Sequence, residues 1–292
     1  MPGEWGGEEA VAPSSFVVML PRWYSGADLE TDVTSTLPSQ HAAFLERLID
    51  KMRQDDRFEA LLAGGSMVHG GFDELSDLDL VPVVRDAAYA QVTTQKRAVA
   101  ERFGDLLAAF TGEHVGEPRL LICLYGPELL HVDLKFVARS ALTQLVERPV
   151  VLWARHAAAI EAILDSAAIV WPERSPDWFE ERAWIWLHYG ATKLQRGELF
   201  EAMGMIAFFR EQVLGPMLSR RLGRSQRGVR KIEQMGGEAD KLRAVVADHS
   251  KEGVTSALRN AVRLYMELRS DEPPAVGTRG MPELLMPFLR TD

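Results

Sequence analysis

The chain has a single cysteine, Cys123, so no disulfide can form within it. Its neighbours Leu121, Ile122 and Leu124 are apolar, and that setting predicts a packed thiol rather than a reactive one. Long apolar runs are missing too. None approaches the roughly 18 residues that a membrane-crossing helix needs, so no membrane partner is expected. Positive charge is in deficit, with 33 Lys and Arg against 42 Asp and Glu and a net charge of −9. Sequence-independent nucleic-acid binding runs on phosphate neutralisation, so no stable nucleic-acid partner is expected either. There is no internal repeat. The acidic opening, Met1-Pro2-Gly3-Glu4-Trp5, has neither the basic nor the apolar region of a leader, which leaves the cytoplasm as the expected compartment.

What is present is a chain of 292 residues, enough for one large domain or two modest ones. Residues 1–36 are rich in Gly, Pro, Ser, Thr and acids, and read as an N-terminal arm with one apolar piece, Phe16-Val17-Val18-Met19-Leu20. Phe44, Leu45, Leu48, Ile49 and Met52 then recur at helical spacing and predict an amphipathic helix over 39–54, entered after Pro38. A short strand is expected from Phe58 to Ala63. Another is expected over 76–84, near an edge or bulged at Pro82, which has no N–H for a ladder. Residues 87–110 read as helical through Val92, Val99, Phe103, Leu106, Leu107 and Phe110. Two apolar runs, 120–125 and 129–137, are separated by Gly126-Pro127-Glu128 and predict a hairpin.

Strand signals nearly stop after residue 140. Residues 150–170, 177–195, 199–221, 227–247 and 254–269 read as helices, with a start at Ser175-Pro176 and a kink or break at Gly215-Pro216. A last helical turn is expected over 282–289. The fold class is therefore α+β: an arm (1–36), a sheet-containing domain (37–140), and a helical domain with a short tail (141–292).

The chemistry concentrates in Gly64-Gly65-Ser66 and Asp77-Leu78-Asp79. Glycines let a backbone approach a ligand closely, and free N–H groups at a helix start favour phosphates. Strand alternation puts Asp77 and Asp79 on one face, roughly 7 Å apart. Two such carboxylates repel in a dry site, and a hard cation such as Mg²⁺ resolves the repulsion. The run 129–137 alternates as well, with His131, Asp133 and Lys135 on one face. If it lies beside the Asp77/Asp79 strand, Asp133 becomes a third ligand, and three carboxylates can hold two metals.

Gly65-Ser66, ten residues, Asp77-x-Asp79 and a later Asp133 together resemble the nucleotidyltransferase superfamily that includes DNA polymerase beta. The likeness spans about residues 58–137. The helical remainder resembles, more weakly, the second domain of small bacterial aminoglycoside and lincosamide nucleotidyltransferases. The resemblance implies a mixed sheet flanked by helices and two-Mg²⁺ catalysis. It also implies transfer of a nucleoside monophosphate from ATP or another nucleoside triphosphate to a hydroxyl of a small molecule, such as an aminoglycoside-type antibiotic. By its motif, Gly65 and Ser66 contact the phosphates, and Asp77, Asp79 and Asp133 hold metal.

The helical part adds a local basic excess, with nine basic and three acidic residues from Lys193 to Lys231. Arg182, Trp186, Tyr189 and Lys193 share a helical face. That face either closes over the triphosphate, with Lys193 neutralising charge, or is solvated. Either metal coordination alone lowers the hydroxyl's pKa, or a glutamate of the helical part serves as general base, with Glu180, Glu181 and Glu198 as candidates. The rival readings are a nucleotidyltransferase that modifies a protein and a non-catalytic nucleotide-binding module.

Overall fold

In a computed structural model of the chain, residues 37–290 are described. The expected N-terminal arm lies outside them. The chain divides into two compact units between Ile169 and Val170, not near residue 140. Among the described residues no helix is long and apolar enough to cross a membrane.

The first unit opens with α1 (Ser39–Arg53), whose buried Phe44, Leu45, Leu48, Ile49 and Met52 are the expected stripe. Then come β1 (Phe58–Ala63), the single turn α2 (Ser66–His69), β2 (Leu78–Val84), α3 (Asp86–Thr94), α4 (Lys96–Glu101), β3 (Leu106–Gly112), β4 (Glu117–Tyr125), β5 (Leu130–Lys135) and β6 (Val137–Ala138). The unit closes with β7 (Gln144–Leu145), β8 (Val150–Ala154), α5 (Ala157–Ser166) and β9 (Ala168–Ile169). The main sheet runs β3-β4-β5-β2-β1-β8, with β6 also pairing β2, and it is mixed because β2 and β5 are parallel while the other neighbours along that path are antiparallel. The hairpin of β4 and β5 stands as expected.

Alternation gives this sheet two different faces. Leu78, Leu80, Leu121, Cys123, Val132 and Leu134 point into a core shared with α1, Val92 of α3 and Val99 of α4. On the opposite face, Ala60, Leu62 and Val83 pack beneath Ile160 and Leu164 of α5. That cover reaches only the β1–β8 side. Farther along the same face, β5 presents His131, Asp133 and Lys135, none of which is buried.

Three expectations are corrected here. Residues 106–112 form a strand, because the run Leu-Leu-Ala-Ala-Phe has no polar residue to separate a helical from an alternating pattern. Residues 150–154 form β8, an edge strand of the main sheet, and not a helix. Val150, Val151 and Trp153 favour a pleated surface, and Pro149 precedes them. Arg155 then ties β8 back, donating to the carbonyls of Phe58 at 2.8 Å, Arg53 at 2.8 Å and Asp55 at 3.0 Å. Pro82 lies in an interior strand, opposite Leu61. Its missing N–H is tolerated because the parallel ladder on its other side stops at Leu80/Leu134 and resumes at Val83/Val137.

The second unit is helical: α6 (Pro176–Gln195), α7 (Leu199–Phe209), α8 (Gly215–Arg221), α9 (Gly237–Arg243) and α10 (Lys251–Arg269) around one apolar core. Ser175 caps α6, its hydroxyl accepting the Trp178 N–H at 3.1 Å, with Pro176 in the first turn. At Gly215-Pro216, where a kink or break is expected, the helix is not broken: a π-helical turn, Arg210–Leu214, precedes the pair and the helix continues as α8. Pro216 cannot donate to the Gln212 carbonyl. That oxygen accepts from Arg174 at 2.7 Å, so no buried acceptor is left over. The helix expected over 227–247 is broken up: residues 228–231 form a turn, Ile232–Met235 a 3-10 turn, and only α9 (Gly237–Arg243) is α-helical. Gly228 has φ +62°, and a Cβ there would stand 1.9 Å from Glu211 Oε1. The short helical turn at the C-terminal end, Met286–Leu289, is present as expected.

Candidate active site

β1 ends at Ala63, and the chain turns through Gly64 and Gly65 into α2. The Gly64 N–H donates to the Asp79 carbonyl at 2.9 Å, which seats the turn against β2. Gly65 adopts φ 57°, ψ −131°, open in practice only to glycine. A Cβ on it would stand 1.8 Å from Asp79 Oδ2. The turn therefore lies directly on the Asp79 carboxylate, and it can do so only without a side chain. Ser66 starts α2 and is 7% exposed.

Asp79 on β2 and Asp133 on β5 are partners in the parallel register. Their side chains leave the sheet on one face, about 4.8 Å apart along the pairing direction. The expected strand over 76–84 begins only at Leu78, so Asp77 stands just before β2, near enough for its charge to act on Asp133. Burial raises the Asp133 carboxyl above its ordinary range; His131 works against the rise and the charge of Asp77 adds to it. The His131 Nε2 stands 3.1 Å from Asp133 Oδ1.

Among the described residues, no three or more His, Cys, Asp and Glu side chains are drawn closely enough together to form a metal centre. Asp79 and Asp133 share a face and Asp77 stands just before β2, but the three do not converge. Their chemistry nevertheless fits Mg²⁺: the donors are all carboxylate oxygens, and the influence of Asp77 on Asp133 is the like-charge conflict a divalent cation relieves.

One participant carried no signal in the sequence. Glu147, in the loop between β7 and β8, reaches the glycine turn. Its Oε1 accepts the Gly65 N–H at 3.2 Å, and its Oε2 pairs with His69 Nε2 at 2.6 Å. No motif includes Val146-Glu147-Arg148, so only the pairing of β8 with β1 brings this acid to the turn.

The remaining candidates each have partners of their own. Lys135 is paired with Glu117 at 2.8 Å. Lys193 lies in the second unit, where its ammonium meets Glu198 at 2.6 Å and Glu201 at 3.0 Å. The cation expected to meet phosphate is thus neutralised by two carboxylates. Of the candidate bases, Glu198 is held by Lys193, and Glu181 accepts from Arg182 at 2.9 Å. Glu180 is 4% exposed and binds Arg269, Tyr265, Trp184 and the Thr278 N–H, which makes it a structural anchor.

No protein-family model matches the chain, and no curated protein matches it. Similar solved structures include an aminoglycoside 6-adenyltransferase from Bacillus subtilis, at 15% identity and a TM-score of 0.36 over 87% of this chain and 98% of that one. A nucleotidyltransferase-like protein from Exiguobacterium sibiricum 255-15 is similar at 11% identity and a TM-score of 0.37, over 77% of this chain and 74% of that one.

Proposed function

We propose that the chain is a Mg²⁺-dependent nucleotidyltransferase that moves a nucleoside monophosphate from a nucleoside triphosphate, ATP in the first instance, to a hydroxyl of a small molecule. The observation that carries this reading is the pairing of Asp79 with Asp133 in adjacent parallel strands, with the Gly64-Gly65 turn seated on Asp79. In the reaction the acceptor hydroxyl releases its proton to solvent, its oxygen bonds to the α-phosphorus, the bond from that phosphorus to the bridging oxygen breaks, and pyrophosphate leaves. Mg²⁺, one or two ions held by Asp77, Asp79 and Asp133, would supply charge neutralisation for the triphosphate and a lowered pKa for the acceptor hydroxyl.

The chain's own residues do the positioning. The bare Gly65 backbone lets the turn lie against the Asp79 carboxylate, which sets the start of α2 beside the carboxylates, where the phosphates would sit. The Ser66 hydroxyl, at the start of α2, donates to a phosphate oxygen. Glu147 holds the Gly65 N–H, so the turn keeps its unusual backbone while the nucleotide enters. Lys193 takes no share in this scheme, since Glu198 and Glu201 already neutralise it. The acidic balance of the chain suits a positively charged acceptor such as an aminoglycoside.

The test is pyrophosphate release with Mg²⁺, four nucleoside triphosphates and a panel of hydroxyl-bearing antibiotics. Asp77→Ala and Asp133→Asn should each reduce turnover at least about a hundredfold, since each would remove a ligand of the Mg²⁺ that neutralises the transition state. Turnover within twofold of wild type in either variant would sink the reading.

A further inference from the structure

The register of the sheet extends the site beyond its carboxylates. Asp133 is the antiparallel partner of Ile122 on β4, and Ile122 is the partner of Phe110 on β3. One straight row therefore crosses the face: the glycine turn, Asp79, Asp133, Ile122, Phe110. Strands lie about 4.8 Å apart, so Phe110 stands roughly 10 Å from the Asp133 position. Neither apolar member faces the helices on the other side. Leu121 and Cys123 do that, while Ile122 and Leu124 are half-buried and Phe110 is 57% exposed. An apolar strip on the open face of a sheet, continuous with a carboxylate pair, is a binding surface by composition.

The row also has a direction. The turn that admits phosphate follows β1, on one side of Asp79, and the apolar strip lies on the other side, beyond Asp133. A triphosphate lying on the turn leaves the strip to the second substrate. We propose that Phe110, Ile122 and Leu124 form the acceptor subsite, and that the acceptor carries an apolar or ring face within about 10 Å of its reacting hydroxyl. This inference rests on the nucleotidyl-transfer reading and narrows its acceptor class. His131 and Lys135, on the same face of β5, border the strip with polar groups.

The experiment is calorimetric titration of the full chain, first with Mg²⁺-ATP and then, with Mg²⁺-ATP saturating, with methyl, benzyl and phenyl β-D-glucosides. These probes share their hydroxyls and differ in apolar surface. Wild type should bind the phenyl glucoside about tenfold more tightly than the methyl, as for roughly 50 Å² of apolar surface withdrawn from water. Phe110→Ala should erase that difference while leaving ATP affinity within twofold, and Phe110→Leu should restore part of it. Phe110 is largely exposed, so the variants should keep the wild-type Tm. The inference is overturned if wild type does not discriminate among the glucosides, or if Phe110→Ala discriminates as wild type does. It is equally overturned if the loss in Phe110→Ala falls on ATP, which would make the strip a nucleobase surface. Absence of Mg²⁺-dependent ATP binding in wild type would instead strike the nucleotidyl-transfer reading, and the glucosides, titrated alone, would still judge the strip.

Discussion

Gly65 is where one missing atom decides most. Its backbone lies in a region that side chains rarely adopt, and its Cα faces the Asp79 carboxylate. Gly65→Ala should therefore be destabilising by at least about 1–3 kcal/mol from the backbone alone. The contact with Asp79 adds to that by pushing either the turn or the carboxylate aside. Chemical denaturation gives the stability and calorimetry the ATP affinity. A variant with wild-type values for both would show that the turn does not depend on the bare backbone. Glu147 belongs to the same scale: it is a fourth acid at the site, but it is spent on the turn and its neighbour His69.

Among the elements, α6 and α10 are joined to the segment after them through one buried carboxylate. Glu180 accepts from Arg269 at 2.7 Å, Tyr265 at 2.6 Å, Trp184 at 3.0 Å and the Thr278 N–H at 2.7 Å. Burial opposes its ionisation, but these donors outweigh burial and hold its pKa at about 2, against 4.5 when unperturbed. The folded pKa is depressed, so the stabilisation is complete above about pH 4.5 and is lost as pH falls toward 2. Glu180→Gln should cost about 3–5 kcal/mol near neutral pH, because Arg269 is left partly buried without its partner. It should also flatten the acid limb of the stability curve in pH-dependent denaturation, and an unchanged limb would remove Glu180 from this role. The amphipathic stripe of α1 and the Ser175-Pro176 start of α6 were legible in the sequence because each is a local pattern. The run 106–112 was not, because an unbroken apolar string has no period. Nor was Glu147, whose partner lies 82 residues earlier. Asp79 and Asp133 could be named from alternation, whereas their adjacency needed the parallel register of β2 and β5.

At the scale of the molecule, the described residues carry two separate sets of core residues. Phe179 to Leu289 form one cluster, in the second unit, and the clusters over the sheet draw only on residues before Ile169. A core of its own is what lets a unit fold alone. Fragments 37–169 and 170–290, produced separately, should each melt with a cooperative transition in scanning calorimetry. A fragment 37–169 without one would show that its sheet depends on the helical unit, whereas a fragment ending at residue 140 should lack a transition because it omits β8. The pairing of β8 with β1 also sets an order in time. During synthesis, Gly65, Asp77, Asp79 and Asp133 all leave the ribosome before Glu147. Until Glu147 follows, 14 residues after Asp133, the turn on Asp79 has its glycines but not its latch, so the candidate site is complete only once the segment leading into β8 has been made.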